Sequence, residues 1–345
     1  MESKALSCKE LGMSDNLKAS FFGLSADRIL TAVEEALGER ATGRIVALNS
    51  LENRVHEIEL ENGQYVVSKF YRPHRWNENQ LSEEHLFLEK LRATEVPVVC
   101  PLPLKGKLVR RTPTLAQLND GIFFTIFPKV RGKLIDEFTD LHLQTLGRYL
   151  GRIHQVGKAW VAKHRMKMNV TDWGWKPLDE LADSEFFEPN VRVLYETVAE
   201  KFLEIAEERL HNVRMSSVHG DCHLGNTLWH GDAPFFLDFD DMMVAPPVQD
   251  LWMVIRGRDE EAQRQRQVFL QSYEQFCEFE YETLGLIEVL RGLRIIFYSA
   301  WIAKRFDDPS FPQAFPNFAT SAYWRSEIEA LEECAQLSQS VDISY

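Results

Sequence analysis

Residues 219–226 read HGDCHLGN and residues 234–241 read PFFLDFDD. Together they bring His219, Cys222, His223 and Asn226 close in sequence to the carboxylates of Asp221, Asp238, Asp240 and Asp241. Zinc is one reading of such a set. However, His219, Cys222 and His223 crowd one short loop that also holds Gly220, whereas closed zinc sites bring paired Cys or His from separate elements. The remaining donors are hard oxygens, which suit magnesium or calcium, and the twelve-residue spacing of an EF-hand is absent. Phosphoryl transfer uses the set more fully. It needs a carboxylate that orients or accepts a hydroxyl proton, and a carbonyl-type oxygen plus a second carboxylate for the metal that bridges the phosphates. Asp221 fits the first role, and Asn226 and Asp238 fit the other two. The apolar run PFFL anchors Asp238 at a strand end. A solvated acidic loop around a buried histidine is the bland alternative.

Upstream residues bear on that choice. In QYVVSKFY (64–71) strand alternation places Tyr65, Val67, Lys69 and Tyr71 on one face. A lysine there either snorkels to solvent or meets an anion such as ATP phosphate. A buried ammonium also needs a carboxylate, and a helix over 78–92 offers Glu83 and Glu84. Around these residues the pattern predicts a helix over 27–37, capped by Ser25 and ending near Gly38. Strands follow at 43–48, 54–60 and 64–71, the last two joined by a tight Asn62-Gly63 hairpin. The stretch 96–104 reads as an edge strand or extended link, and 121–127 as a strand. Helices are expected at 140–156, 191–211, 259–279, 283–305 and 322–339. The fold class is therefore α+β and bilobal. A nucleotide-binding lobe spans 1–127, a hinge 128–135, and a helical lobe with the catalytic loop 136–345.

Composition narrows the function classes. A net charge of −13 argues against nucleic-acid binding. The longest apolar run, nine residues at 295–303, falls well short of the roughly 20 a membrane helix needs. Five scattered cysteines without a CxxC pair suit a reducing cytoplasm, and the N-terminal segment lacks a secretory signal. The expectation is a cytoplasmic monomer with no membrane or nucleic-acid partner.

These motifs resemble the protein-kinase-like superfamily in its aminoglycoside phosphotransferase and choline kinase branch. HGDCHLGN is similar to that branch's HGDxHxxN catalytic loop, LDFDD stands where kinases carry DFG, and VVSKF is similar to the strand with the nucleotide-binding lysine. LNSLENRV, VSKFYRPHRW, EEHLFLEKL, GRYLGRIHQ and VQDLWM resemble the stress response kinase A family more closely, from about residue 25 onward. The resemblance implies ATP as co-substrate, Mg2+ as cofactor and a protein serine or threonine as acceptor. It makes Asp221 the base, with Asn226 and Asp238 on the metal, Asp238 being part of the catalytic set. Lys69 pairs with Glu84, Ser50 lies near ATP, and Ile126 and Phe127 belong to the hinge FTIFPKV beside adenine. Asp250 in VQDLW either braces the catalytic loop or caps a helix.

Departures from the kinase pattern are informative. The turn Asn49–Asn53 lacks GxGxxG, so Ser50 and Asn53 side chains stand in for backbone donors. Gly220 replaces the Arg of HRD, and no APE segment follows, which argues against control by activation-loop phosphorylation. Asp240 and Asp241 reach a second metal, attract a basic acceptor or cap the next turn. Glu288, Arg291 and Arg294 recur at helical spacing and either line a substrate surface or form an ion network. Cys222, beside the expected base, is a redox-sensitive point or an inert packing residue. Two alternatives to a protein kinase stay open: a kinase of a small hydroxylated acceptor (an aminoglycoside, choline or homoserine-like compound), and a non-catalytic nucleotide-binding module.

Overall fold

The computed structural model describes residues 21–340, so Cys8 and the N-terminal segment discussed above lie outside the described residues. The chain forms two compact units. The first runs to Ala93 and resumes over Val98–Arg131; the second takes Thr94–Pro97 and the described chain from Gly132 onward.

The first unit holds α1 (Ala26–Leu37), β1 (Ala41–Ala47), β2 (Arg54–Leu60), β3 (Tyr65–Phe70), α2 (Glu78–Ala93), β4 (Ala116–Gln117) and β5 (Phe123–Pro128). Its five strands form one antiparallel sheet in the order β1-β2-β3-β5-β4. Ser25 caps α1 by accepting the Arg28 N–H at 3.3 Å, and Gly38 ends it in the left-handed region. Ile29, Ala32, Val33 and Ala36 of α1 pack with Ile58, Val66, Phe70, Phe124 and Ile126 of the sheet into one core. Val66, Ser68 and Phe70 alternate with Val67 and Lys69 along β3, so the lysine projects from the face opposite that core. The β2–β3 hairpin turns at Glu61, Asn62 and Gly63, as expected. Leu60 N–H bonds Gln64 carbonyl at 2.9 Å around Glu61, Asn62 and Gly63, and only Gly63 has positive φ. A three-residue loop with glycine in the left-handed position supplies the bulge that a two-residue Asn-Gly turn would not. The 96–104 stretch is an extended link and not a full strand.

The second unit begins with α3 (Asp140–Ala159), α4 (Lys176–Ala182) and α5 (Pro189–Leu210). The short strands β6 (Ser216–Val218), β7 (Thr227–His230), β8 (Ala233–Phe236) and β9 (Met243–Ala245) pair as β6-β9 and β7-β8. Then come α6 (Val248–Val254), α7 (Glu260–Tyr273), α8 (Ile287–Ala303), α9 (Ser310–Ala314) and α10 (Ser321–Ser340). The helix expected over 259–279 stops at Tyr273, and α8 starts after the tighter turn Tyr281–Leu286. Thr171–Trp175, a π-helical turn running into α4, was not foreseen. The tryptophans serve packing: Trp173 stacks on Phe297 at 4.4 Å, and Trp324 donates to the Phe186 carbonyl. None of the described helices is long and apolar enough to cross a membrane.

Candidate active site

In the first unit, Lys69 Nζ lies 3.8 Å from Glu84 Oε1, both side chains nearly sealed from solvent. Glu84, not Glu83, is thus the carboxylate that meets the lysine. Tyr71 continues the arrangement: its ring centroid is 5.0 Å from Nζ, and its hydroxyl lies 3.5 Å from both Glu84 oxygens and 3.2 Å from His85 Nε2. His85 Nδ1 contacts Thr114 Oγ1 at 2.7 Å, and Thr125, opposite Lys69 in the β3–β5 register, donates to the Thr114 carbonyl. Removing one partner of such a buried pair typically costs about 3–5 kcal/mol, so the ladder fixes the lysine's direction.

The Asn49–Asn53 turn is held by side chains. Ser50 Oγ accepts the Asn53 N–H at 3.3 Å, and Asn53 Oδ1, buried, accepts the Arg72 N–H at 3.1 Å. Asn53 therefore anchors the turn just beyond the end of β3. Arg72 adds bonds from Nε to the Glu52 carbonyl (2.9 Å) and from Nη2 to the Leu51 carbonyl (3.0 Å). At the hinge, the Ile126 carbonyl accepts the Leu102 N–H at 2.7 Å and its side chain is fully buried in the α1-side core. Phe127 pairs with Val67 in the sheet. Of the two hinge positions, Ile126 already has its carbonyl engaged.

In the second unit, β6 delivers the chain into HGDCHLGN, and buried Asp250 of α6 clamps the start of that loop. Its Oδ2 accepts the His219 N–H and its Oδ1 the Gly220 N–H, each at 2.8 Å. His154 Nε2 donates to Oδ2 at 2.9 Å, which leaves Nδ1 to accept from the Tyr273 hydroxyl at 2.9 Å. Gln249 donates to the Gly220 carbonyl at 3.0 Å. Of its two expected roles, Asp250 therefore braces the loop; it does not cap α6. Gly220 has φ of +87°, and a Cβ there would lie 2.2 Å from the Asp241 carbonyl oxygen. Both the backbone conformation and the space require glycine.

His219 ties this loop to the acidic segment: Nε2 donates to the Leu237 carbonyl at 2.8 Å while Nδ1 accepts the Asp221 N–H at 3.3 Å. The Leu237 N–H in turn bonds the Asn226 carbonyl at 2.9 Å, so Asp238 directly follows a residue bonded to Asn226. Asp238 is exposed with φ of +54°, a left-handed conformation that Asp tolerates better than most residues. Asn226 Nδ2 donates to the Asp221 carbonyl at 2.9 Å, which leaves the amide oxygen as the atom for a cation.

Asp221 Oδ1 accepts from Arg294 Nη2 at 2.9 Å, and Oδ2 lies 3.4 Å from His223 Nε2. Burial works against its charge, but the His223 hydrogen bond and the charges of Arg294, His223 and His219 outweigh it and hold the carboxyl well below the usual carboxylate range. Cys222 is fully buried, and burial together with the charges of Asp250 and Asp221 pushes its thiol well up, which makes it an inert packing residue. Asp240 is buried with its carbonyl held by Arg165, while Asp241 is exposed. Among the described residues no group of three or more His, Cys, Asp or Glu is placed to hold a metal ion. A cation held by Asn226 and Asp238 would have few protein donors. Magnesium tolerates this because water and substrate phosphates complete its shell.

Sequence reasoning missed His154, Gln249 and Arg165. His154 meets Asp250 across 96 residues, and no local pattern announces such a partner.

This sheet-bearing unit, the helical unit and the clamped HGDCHLGN loop define a kinase-like phosphotransferase, and the chain belongs to the phosphotransferase enzyme family, whose pattern matches residues 44–287. It is 33 % identical to stress response kinase A of Escherichia coli strain K12 over 94 % of this chain and 97 % of that protein. Over 91 % of its length it is 34 % identical to serine/threonine protein kinase RdoA of Salmonella typhimurium strain LT2, covering 93 % of it. Among solved structures it resembles amicoumacin kinase hAmiN in complex with AMP-PNP, Ca2+ and Ami, with a TM-score of 0.71 and 18 % identity over 98 % of both chains. A microcompartment-associated aminopropanol kinase follows, with a TM-score of 0.65 and 16 % identity over 91 % of this chain and 97 % of that one.

Proposed function

We propose that the protein transfers the γ-phosphoryl group of ATP to the hydroxyl of a protein serine or threonine, with Asp221 as the carboxylate that receives the hydroxyl proton. The observation that carries this reading is the setting of Asp221: an ionised carboxylate on a loop whose backbone is pinned by fully buried Asp250. The name borne by its Salmonella typhimurium relative, a serine/threonine protein kinase, supports the acceptor class.

In the reaction, the acceptor oxygen bonds to the γ-phosphorus as the bond to the β–γ bridging oxygen breaks, and the hydroxyl proton passes to Asp221. Asp221 orients the hydroxyl and receives its proton as the new bond to phosphorus forms. Lys69, fixed by Glu84, steadies the nucleotide phosphates, and Ser50 contributes from the braced turn. The hinge at Ile126 and Phe127 lies beside the base, with contacts from the Phe127 side of the strand. Asn226 and Asp238 would hold magnesium, which neutralises phosphate charge. Catalysis rests on alignment and electrostatics without a covalent enzyme intermediate.

The test is label transfer from γ-labelled ATP to protein, with magnesium, by the full chain and by Asp221→Asn and Asp238→Asn. Loss of the positioned proton acceptor lowers the rate by about 10³-fold in a variant that still folds, as circular dichroism would show. Asp221→Asn retaining activity within about twofold would refute the assignment, since general-base loss is never that mild.

A further inference from the structure

The arginines of α8 and the segment after α6 do not share one role. Glu288 takes both Arg258, at 2.6 Å, and Arg291, at 3.2 Å, in an ion network. Arg294, one turn further on, leaves that network and binds Asp221. Arg256 is different again. Its carbonyl accepts Arg291 Nη2 at 2.8 Å, yet the side chain of this residue makes no hydrogen bond or ion pair among the described residues. Partial burial of the guanidinium and the neighbouring charges of Arg294 and Arg291 lower its pKa, while Asp221 pulls the other way.

A chain with a net charge of −13 thus keeps an arginine with no carboxylate partner among the described residues beside Arg291, whose neighbour one helical turn on, Arg294, holds Asp221. Like charges so arranged cost energy in the absence of an anion, and a guanidinium fork fits a carboxylate or phosphate in two-point fashion. Tyr298, 38 % exposed, lies under Arg294, 5.8 Å from its guanidinium carbon, and stacks on Trp301. It offers a flat wall to the acceptor's carbon skeleton. Of the two carboxylates expected to meet a second metal or a basic acceptor, Asp240 is buried and Asp241 is exposed.

We infer that Arg256, with Arg294, recognises the acceptor, and that the acceptor carries a carboxylate or phosphate close to the hydroxyl that is phosphorylated. This rests on the reading of Asp221 as the acceptor-side carboxylate. An acidic serine or threonine segment and a small hydroxy acid share this chemistry, and the experiment separates them.

Wild type, Arg256→Gln and Arg256→Glu are compared as full chains on four acceptors. These are serine peptides flanked by Asp and Glu or by Lys and Arg, a small hydroxy acid, and an amino alcohol. Acceptor-independent ATP hydrolysis is followed in parallel. The acidic member of a pair is preferred. Arg256→Gln raises its KM about tenfold, the loss of one charge-assisted hydrogen bond, with kcat within about twofold. Arg256→Glu shifts preference toward the basic member. Whether the acidic peptide or the hydroxy acid takes the label identifies the source of the anion. Preference for the basic peptide or amino alcohol overturns the inference, as does an unchanged KM in Arg256→Gln. Hydrolysis of ATP with no label on any acceptor also counts against it. Absence of magnesium-dependent ATP turnover altogether removes the kinase reading itself, and the parallel hydrolysis assay tells that failure apart.

Discussion

Two irregular loops carry the proposed chemistry, and they are pinned by opposite means. The Asn49–Asn53 turn of the first unit is held by a cation, Arg72, which binds the carbonyls of Leu51 and Glu52. The HGDCHLGN loop of the second unit is held by an anion, Asp250, which binds the N–H groups of His219 and Gly220. The first brace consumes acceptors, which would repel phosphate. The second consumes donors, and the loop beyond it presents carboxylate and amide oxygens suited to a cation and a hydroxyl. In each unit the brace removes the backbone groups of the wrong polarity for the ligand the loop is proposed to meet. The cost differs as well: Asp250 is wholly buried, whereas Arg72 is partly open to solvent.

The largest test of this contrast is Asp250→Ala. It strands the His219 and Gly220 N–H groups and the His154 imidazole in a dry interior, and loss of a buried charged partner costs about 3–5 kcal/mol. Thermal unfolding should show the loss together with collapse of phosphoryl transfer. A variant as stable as wild type would mean that the loop does not depend on its anion. Arg72→Gln is the milder counterpart. With two partly exposed charge-assisted bonds removed, the expectation is about 2 kcal/mol lower stability and a higher KM for ATP, with the KM for the acceptor unmoved. An acceptor effect from Arg72→Gln would break the division of labour between the two loops.

The smallest effect concerns the second unit alone. Burial pushes the Glu327 carboxyl up to about 7, against a weaker opposing hydrogen bond from Ser299. Folded Glu327 keeps a proton that the unfolded chain, with its ordinary value of 4.5, has already released. Stability is therefore lost as pH rises from 4.5 toward 7 and stays flat above, and the contribution is at most about 3 kcal/mol. Seven of the eight tryptophans lie in the second unit, so fluorescence melts report on it. Glu327→Gln should melt higher than wild type at pH 8 and alike at pH 4. Parallel pH profiles for the two proteins would count against this account.

Much of this architecture was legible before any coordinates. Strand alternation placed Lys69 on the face away from the α1 core, and helix periodicity found α1, α2, α3, α5 and α10 to within a few residues. The spacing within HGDCHLGN singled out Asp221 and Asn226 because their geometry is local, with an amide bonded five residues back. What escaped was long-range. Whether Ile126 has a carbonyl to spare depends on Leu102, and Arg256 stands out only because Glu288 is engaged by Arg258 and Asp221 by Arg294. The turn at Gly63 was legible because an Asn-Gly pair between two alternating apolar runs is a strong short-range hairpin signal.

The meeting of position 220 with the Asp241 carbonyl has an evolutionary consequence. A lineage carrying this backbone cannot acquire, in one mutational step, the arginine through which kinases with an HRD motif sense a phosphate on their own activation segment, since even a methyl group collides there. The loop at Gly220 and the turn at Asp241 would have to part first.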